Sequence, residues 1–275
     1  MKIGLFGYGY WGKIIEKNLL DFSKPSIYDP NISMYAANLL AVLEDSTHVF
    51  IAVPASVHYD LVNKALDYGC HVFCEKPLTL TLAESERLYE KADKKNLRLY
   101  VDWIFTCNPT IRKIKRMIDH GGLGDLLRVS MNRLNLGPIR YDVSARYDLS
   151  SHDLSILYYF LGGEPINATH WDYVTSPSGP PGTSSTEVVW DKGKAVINSS
   201  WNYPVKNRAC VFSFENATVH WDDALKFTYI NGKKLTVEDI RSPLEISISE
   251  FLEGTYDLKE NRDITIAVAR LLEES

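Results

Sequence analysis

The stretch KIGLFGYGYWGK, residues 2–13, sets three glycines, Gly7, Gly9 and Gly12, directly behind the apolar run at 3–6. Glycine weakens strand and helix interiors relative to alanine. Three in six positions therefore point to a backbone that has to stay bare. The Gly-x-Gly-x-x-Gly spacing alone is a weak signal, but here it follows an expected strand and opens an expected helix over 11–20, the setting in which it binds a dinucleotide. Gly7 permits the tight turn, Gly9 lets a pyrophosphate approach the main chain, and Gly12 lets helix and strand pack closely. The exposed N–H groups and the positive end of the helix dipole then hold the phosphates. The plainer alternative is an ordinary strand–helix turn.

The same pattern asks for an acidic residue about 20 positions on, at the end of the second strand, to take ribose hydroxyls. Asp29, in IYDPN, stands at that place. Its charge repels the extra phosphate of NADP, and no Arg or Lys follows nearby, so NAD is favoured over NADP. A turn residue ahead of Pro30 is the structural alternative.

Outward from this start, residues 1–120 alternate short strand-like runs (2–6, 26–28, 49–53, 71–74, 97–101) with helical patterns. Ser56 reads as an N-cap ahead of the apolar face Val57, Leu61, Val62, Ala65 and Leu66. Thr81 and Glu84 read as a capping box. The alternation predicts an α/β fold with a doubly wound parallel sheet of Rossmann type, covered on both faces. The cluster Gly121-Gly122-Leu123-Gly124 sets the expected domain boundary. Residues 121–275 carry strand-like runs at 127–134, 168–175, 186–190, 195–201, 210–214, 217–221 and 226–230. Turn signals fall at 191–194 and 231–232, helices are expected over 151–161 and 264–274, and 176–185 reads as a loop. That is an α+β domain with a mainly antiparallel open sheet. The Trp-Asp pairs at 171, 190 and 221 share no period and give no repeat.

Composition bounds the function. The 275 residues are 45% apolar and 24% charged, as in ordinary globular proteins. The net charge of −5 provides no broad positive field, so no nucleic acid partner is expected. The basic run at 112–116 reads as a solvated helix face. No stretch approaches the roughly 20 apolar residues of a membrane span, and no leader pattern opens the chain, so a cytoplasmic location is expected. Cys70, Cys74, Cys107 and Cys210 match neither zinc nor CxxC spacing. They read as buried thiols, and no metal is expected.

Two further stretches can carry chemistry. In CEKPLTLTLAESERL, residues 74–88, Lys76 sits at the carboxyl end of a strand, where ligands of open parallel sheets lie. A lysine there can hydrogen-bond a nicotinamide ribose and a substrate hydroxyl, or simply be a surface lysine before a turn. In YDLSSHDLSILYYFLGGEP, residues 147–165, Asp148 and His152 are four apart and share a helix face. A histidine can take the proton of an alcohol as hydride leaves, with Asp148 orienting it or binding substrate. Asp153 points elsewhere and reads as structural. A capped helix with a polar first turn is the alternative. Ser151 lacks the Gly-x-Ser-x-Gly setting of a hydrolase nucleophile.

Taken in order, GYGYWG, IAVPASVHYDLVNKALDYGCHVFCEKPLTLTLAE (51–84) and DLSSHDLSIL (148–157) resemble the Gfo/Idh/MocA oxidoreductases, which act mostly on sugars and cyclitols. The resemblance implies cofactor contacts from Gly7, Tyr8, Gly9, Tyr10, Trp11, Gly12, Asp29, Val53, Pro54, His58, Glu75 and Lys76. It implies catalytic roles for Lys76 and His152, with Asp148 in support. Residues 135–165, from NLGPIRY to GGEP, are similar to nucleotide-sugar 3-dehydrogenases of surface-polysaccharide pathways, which act on UDP-N-acetylglucosamine or its uronic acid. On that likeness Arg133, Asn135 and Tyr141 are substrate-side candidates, and a homo-oligomer, dimer or tetramer, forms through the C-terminal sheet. The segment 29–49 is shorter than the family's, so its helix should be truncated. A dinucleotide-binding regulator without turnover is the competing reading; such relatives often lack the lysine–histidine pair that this chain has.

Overall fold

A computed structural model describes residues 1–35, 38–163, 166–175 and 179–274. The chain forms two compact units: Met1–Ile104 with Arg241–Ala269, and Phe105–Ile240 with Arg270–Ser275. In the first, strands β1 (Ile3–Phe6), β2 (Ser26–Tyr28), β3 (His48–Ile51), β4 (His71–Cys74) and β5 (Leu99–Val101) build a parallel sheet in the order β2-β1-β3-β4-β5. Their near-continuous burial (Ile3, Leu5, Val49, Phe50, Val72 and Phe73 are all in the core) is what a parallel sheet covered on both faces requires. Helices α1 (Tyr10–Leu19), α2 (Leu39–Asp45), α3 (His58–Asp67) and α4 (Leu82–Lys94) connect the strands. Thr81 caps α4 by accepting from the amide of Glu84, as its sequence indicates. The helix after β2 is indeed short, seven residues capped by Asn38.

The expected boundary at 120/121 differs from the division observed at 104/105. Helix α5 (Pro109–Asp119), with Asn108 as its cap, belongs to the second unit, so the glycine cluster lies inside that unit. The first unit also recovers a distant piece of chain. Helix Pro243–Glu253, opened by a Ser242–Glu245 capping box, sets Leu244, Ile248, Phe251 and Leu252 into one core with Ile3, Leu5, Ile15, Phe50, Phe73 and Tyr100. Phe251 meets Phe50 and Phe73 at centroid separations of 5.5 and 5.6 Å. Full burial of one such side chain contributes about 1.5–3 kcal/mol, so this helix is part of the first unit's core.

The second unit holds a nine-stranded sheet. Its strands are β6 (Leu126–Leu136), β7 (Asn167–Tyr173), β8 (Thr183–Trp190), β9 (Gly193–Ser200), β10 (Asn202–Asn207), β11 (Ala209–Phe214), β12 (Thr218–Asp222), β13 (Phe227–Ile230) and β14 (Lys233–Lys234). The order is β14-β13-β12-β11-β6-β9-β8-β7, with β10 also on β6. The β6–β9 pair is parallel and the others are antiparallel. Period-2 burial shows in β8, where Ser184, Thr186, Val188 and Trp190 are buried; this is the alternation of a sheet with one covered face. Helix α6 (Ser151–Leu161) buries Leu154, Ile156, Leu157 and Phe160, and Phe160 meets Phe212 of β11 at 5.1 Å. The Asn231-Gly232 turn between β13 and β14 has positive φ at both residues, as a type I′ hairpin needs. Of the loop expected over 176–185, residues 176–178 lie outside the described residues, and β8 begins already at Thr183.

Candidate active site

In the first unit the sequence candidates gather at the carboxyl edge of the sheet. Gly7 follows β1 with φ +90°, and a Cβ on it would strike the carbonyl of Ala52 beyond β3. A Cβ on Gly12 would collide with the carbonyl oxygen of Gly7, so helix α1 lies against the turn as closely as backbone allows. Gly9 is the opposite case: a Cβ there meets nothing within 4 Å. Gly9 is the N-cap of α1 and no side chain caps that helix, which leaves its first amides open beside an open face. A diphosphate fits this cradle.

Asp29 follows β2 directly. Its Oδ2 accepts from the amide of Tyr8 at 2.7 Å and its Oδ1 from the amide of Asn31 at 2.9 Å. The carboxylate therefore braces its own turn and ties it to the glycine loop, with lone pairs to spare. Tyr8 and Tyr35 stand edge to face at 5.0 Å nearby, and Tyr10 is exposed on α1. Val53 and Pro54 continue the end of β3. His58 is buried, with Nδ1 at 2.7 Å from the Pro77 carbonyl and Nε2 at 2.9 Å from the Val53 carbonyl. Its ring thus holds the loop after β3 against the loop after β4. Glu75 accepts the indole N–H of Trp11, and Lys76 follows it past the end of β4.

In the second unit Asp148 lies in a short π-helical turn, Arg146–Ser150, immediately ahead of α6. Its carboxylate accepts the indole N–H of the buried Trp201 at 3.3 Å. His152, in the first turn of α6, stands edge-on to Phe105 at 5.1 Å. Asp153 is structural, as its position on the helix suggests: it is buried and takes Arg133 through Nε at 3.1 Å and Nη2 at 2.5 Å. Arg133 is itself 2% exposed and stacks over Phe105 at 4.4 Å. Of the fork expected to face a substrate, only Nη1 lacks a protein partner. Asn135 gives its amide N–H to Gly137 and keeps a buried Oδ1 without a partner. Tyr141 is 78% exposed on the following loop.

Two residues escaped the sequence. Arg208, at the junction of β10 and β11, is pushed down from the usual arginine range by burial and by Arg133, against the opposing pull of Asp223, Asp153 and Asp148. Asp102, just past β5, is 1% exposed. Neither sits in a recognisable motif; an acidic residue directly after an apolar strand was the signal available for Asp102. No cluster of metal-ligating side chains occurs among the described residues, and no described helix is long and apolar enough to cross a membrane.

Residues 25–103 match the GFO_IDH_MocA family, described as "Oxidoreductase family, NAD-binding Rossmann fold". Over this segment the chain is similar to the Gfo/Idh/MocA oxidoreductases. It is 26% identical over 180 residues to UDP-N-acetylglucosamine 3-dehydrogenase of Acidithiobacillus ferrooxidans, covering 61% of this chain and 56% of that protein. The solved structure of that enzyme superposes with a TM-score of 0.86 at 20% identity, covering 98% of this chain and 96% of the other. The chain is 32% identical over 140 residues to scyllo-inositol 2-dehydrogenase (NAD(+)) of Bacillus subtilis, covering 48% of this chain and 41% of that one. A 3-ketoreductase from Actinomadura kijaniata, solved with TDP-benzene and NADP, gives a TM-score of 0.85 at 17% identity, covering 99% of this chain and 96% of that one. The chain spans between 21% and 56% of the curated relatives it matches. The structural likenesses are likenesses of fold.

Proposed function

We propose that this chain is an NAD-dependent oxidoreductase that moves a hydride between a hydroxyl carbon of a sugar or nucleotide sugar and nicotinamide. The observation that carries the reading is the uncapped start of α1, bare at Gly9 and tightened by Gly7 and Gly12, on the same sheet edge as Lys76. The first unit holds the dinucleotide and the second the sugar. Gly7 to Gly12 hold the diphosphate through main-chain amides. Asp29 takes the ribose hydroxyls and disfavours a 2′-phosphate, which selects NAD; relatives and neighbours that use NAD and NADP are both known. A bound nicotinamide supplies the hydride acceptor. Lys76 steadies the substrate oxygen as charge develops on it. His152 takes the hydroxyl proton, and Asp148, anchored by Trp201, orients it. Asn135 Oδ1, Arg133 Nη1 and Tyr141 offer polar contacts to the sugar. A second copy of the chain covers the open face of the nine-stranded sheet, which sedimentation equilibrium reads as a dimer or tetramer; a monomer at all concentrations excludes it.

The test is a screen of UDP- and TDP-sugars and free cyclitols with NAD and NADP, following reduced nicotinamide by absorbance. Lys76→Ala is expected to bind NAD and lose turnover at least 100-fold. Normal turnover by that variant overturns the role given to the lysine. Dinucleotide binding with no turnover on any substrate favours the regulator reading.

A further inference from the structure

Glu75 and Asp102 stand one residue beyond paired strand ends. The register couples Cys74 to Val101, and the amide of Asp102 donates to the carbonyl of Cys74 at 2.9 Å. Residues in register on parallel strands point to the same face, with the strands about 4.8 Å apart. The two carboxyls therefore leave the sheet as neighbours. The Oδ1 of Asp102 accepts the Ser247 hydroxyl at 2.8 Å, from the helix recovered from the far end of the chain. Its Oδ2 is buried and, as an ionised oxygen, has no donor. Glu75 accepts the Trp11 indole.

Two carboxylates this close, one of them fully buried, do not both hold a charge. A proton on Oδ2 turns the orphaned oxygen of Asp102 into a donor, and Glu75 is the acceptor beside it. Burial, then the neighbouring Glu75, pushes Asp102 well above the usual carboxylate range; burial also raises Glu75, against the Trp11 hydrogen bond and the Lys76 charge. The groups facing the pair are the Trp11 indole, the Cys74 thiol, the Lys76 ammonium and the Ser247 hydroxyl.

We propose that Glu75 and Asp102 share one proton, held on Asp102, so that the pair presents a single negative charge to Lys76, and that Asp102 is thereby a positioning residue for that lysine. The shared proton matches one negative charge to one ammonium. A second charge on the pair would draw the lysine back toward the sheet, and none would remove the negative charge that Glu75 sets beside it. The positioning role rests on the reading of Lys76 given above; the shared proton does not.

Infrared difference spectroscopy on protein labelled with 13C-carboxyl aspartate tests it without cofactor or substrate. A protonated aspartic acid band is expected at neutral pH, absent in Asp102→Asn and displaced to higher frequency in Ser247→Ala, which keeps the proton but frees Oδ1. If Asp102→Asn fails to fold, the Ser247→Ala displacement carries the test. No protonated band at neutral pH overturns the proposal. In turnover, Glu75→Gln is expected to lower kcat at least tenfold while the affinity for NAD is kept, because the pair no longer presents a negative charge to Lys76. An unchanged kcat overturns the positioning role. Absence of the band indicts the shared proton, whereas full turnover by Lys76→Ala indicts the lysine's assignment, so the two failures are distinct.

Discussion

Single residues in the glycine turn separate folding from binding. Gly12→Ala places a methyl group against the Gly7 carbonyl, and something in the strand–helix junction must move. Overpacking of this kind costs about 1–3 kcal/mol. Gly9→Ala adds a methyl group to open space, at a helix N-cap where no side chain is otherwise engaged. Thermal melts should therefore show Gly12→Ala destabilised by several degrees and Gly9→Ala nearly unchanged. Titration with NAD should show Gly9→Ala weakened at least tenfold, since the methyl occupies the diphosphate's approach. Equal affinity in Gly9→Ala and the parent would remove the diphosphate from this turn. At this scale the sequence was informative where a residue's job is set by its backbone neighbours, as at Gly7, Gly12 and Thr81. It was silent on side chains whose partners are distant in sequence. Nothing local in Arg133 reveals that Asp153 claims two of its nitrogens, nor in His58 that its ring lies between the carbonyls of Val53 and Pro77.

Among the elements, the amino-terminal strand ends hold a pH-sensitive group. Nε2 of His48 on β3 accepts from Arg98 at 2.8 Å, and Nδ1 of His71 on β4 accepts from the Arg98 amide at 3.0 Å. Accepting nitrogens require neutral rings. Burial, with His71 and Arg98 adding to it, lowers His48 to about 4, and burial lowers His71 as well. A depressed histidine contributes stability above its unfolded pKa of about 6.5. That contribution is lost as pH falls from there toward about 4. Melting temperature should decline over this window, and His48→Gln should flatten the decline. An equal slope in the variant would dissociate His48 from it. Element types were largely legible because period-2 and helical patterns are local: β6, β9 and α6 fall close to their expected places. Strand β10 was not, and the place of the returning helix was not either. Pro204 inside β10 removes a ladder donor, and β10 meets β6 only at a shifted register. Helix Pro243–Glu253 does carry the signature Ser242-Pro243-x-Glu245 with apolar residues at 244, 248, 251 and 252; its pattern was readable, but its destination on the first sheet was not.

For the molecule as a whole, both sheet types follow from strand spacing, but the partition of the chain does not. A composition break at 121–124 signals a turn, whereas a compact unit is defined by which apolar faces meet, here Leu244, Ile248 and Phe251 with the core around Phe50 and Phe73. A fragment ending at residue 120 should therefore expose that core, bind the dye ANS and melt without a cooperative transition. Adding a peptide spanning 241–269 should restore cooperativity; a fragment that folds sharply on its own would show the returning helix to be dispensable. During synthesis, this arrangement imposes a wait. Roughly 150 residues must be translated between the last strand of the first sheet and the end of the helix that seals it. At about 5–20 residues per second the nascent sheet spends on the order of 10–30 s unsealed, an interval in which a chaperone would find Phe50, Phe73 and Tyr100 within reach.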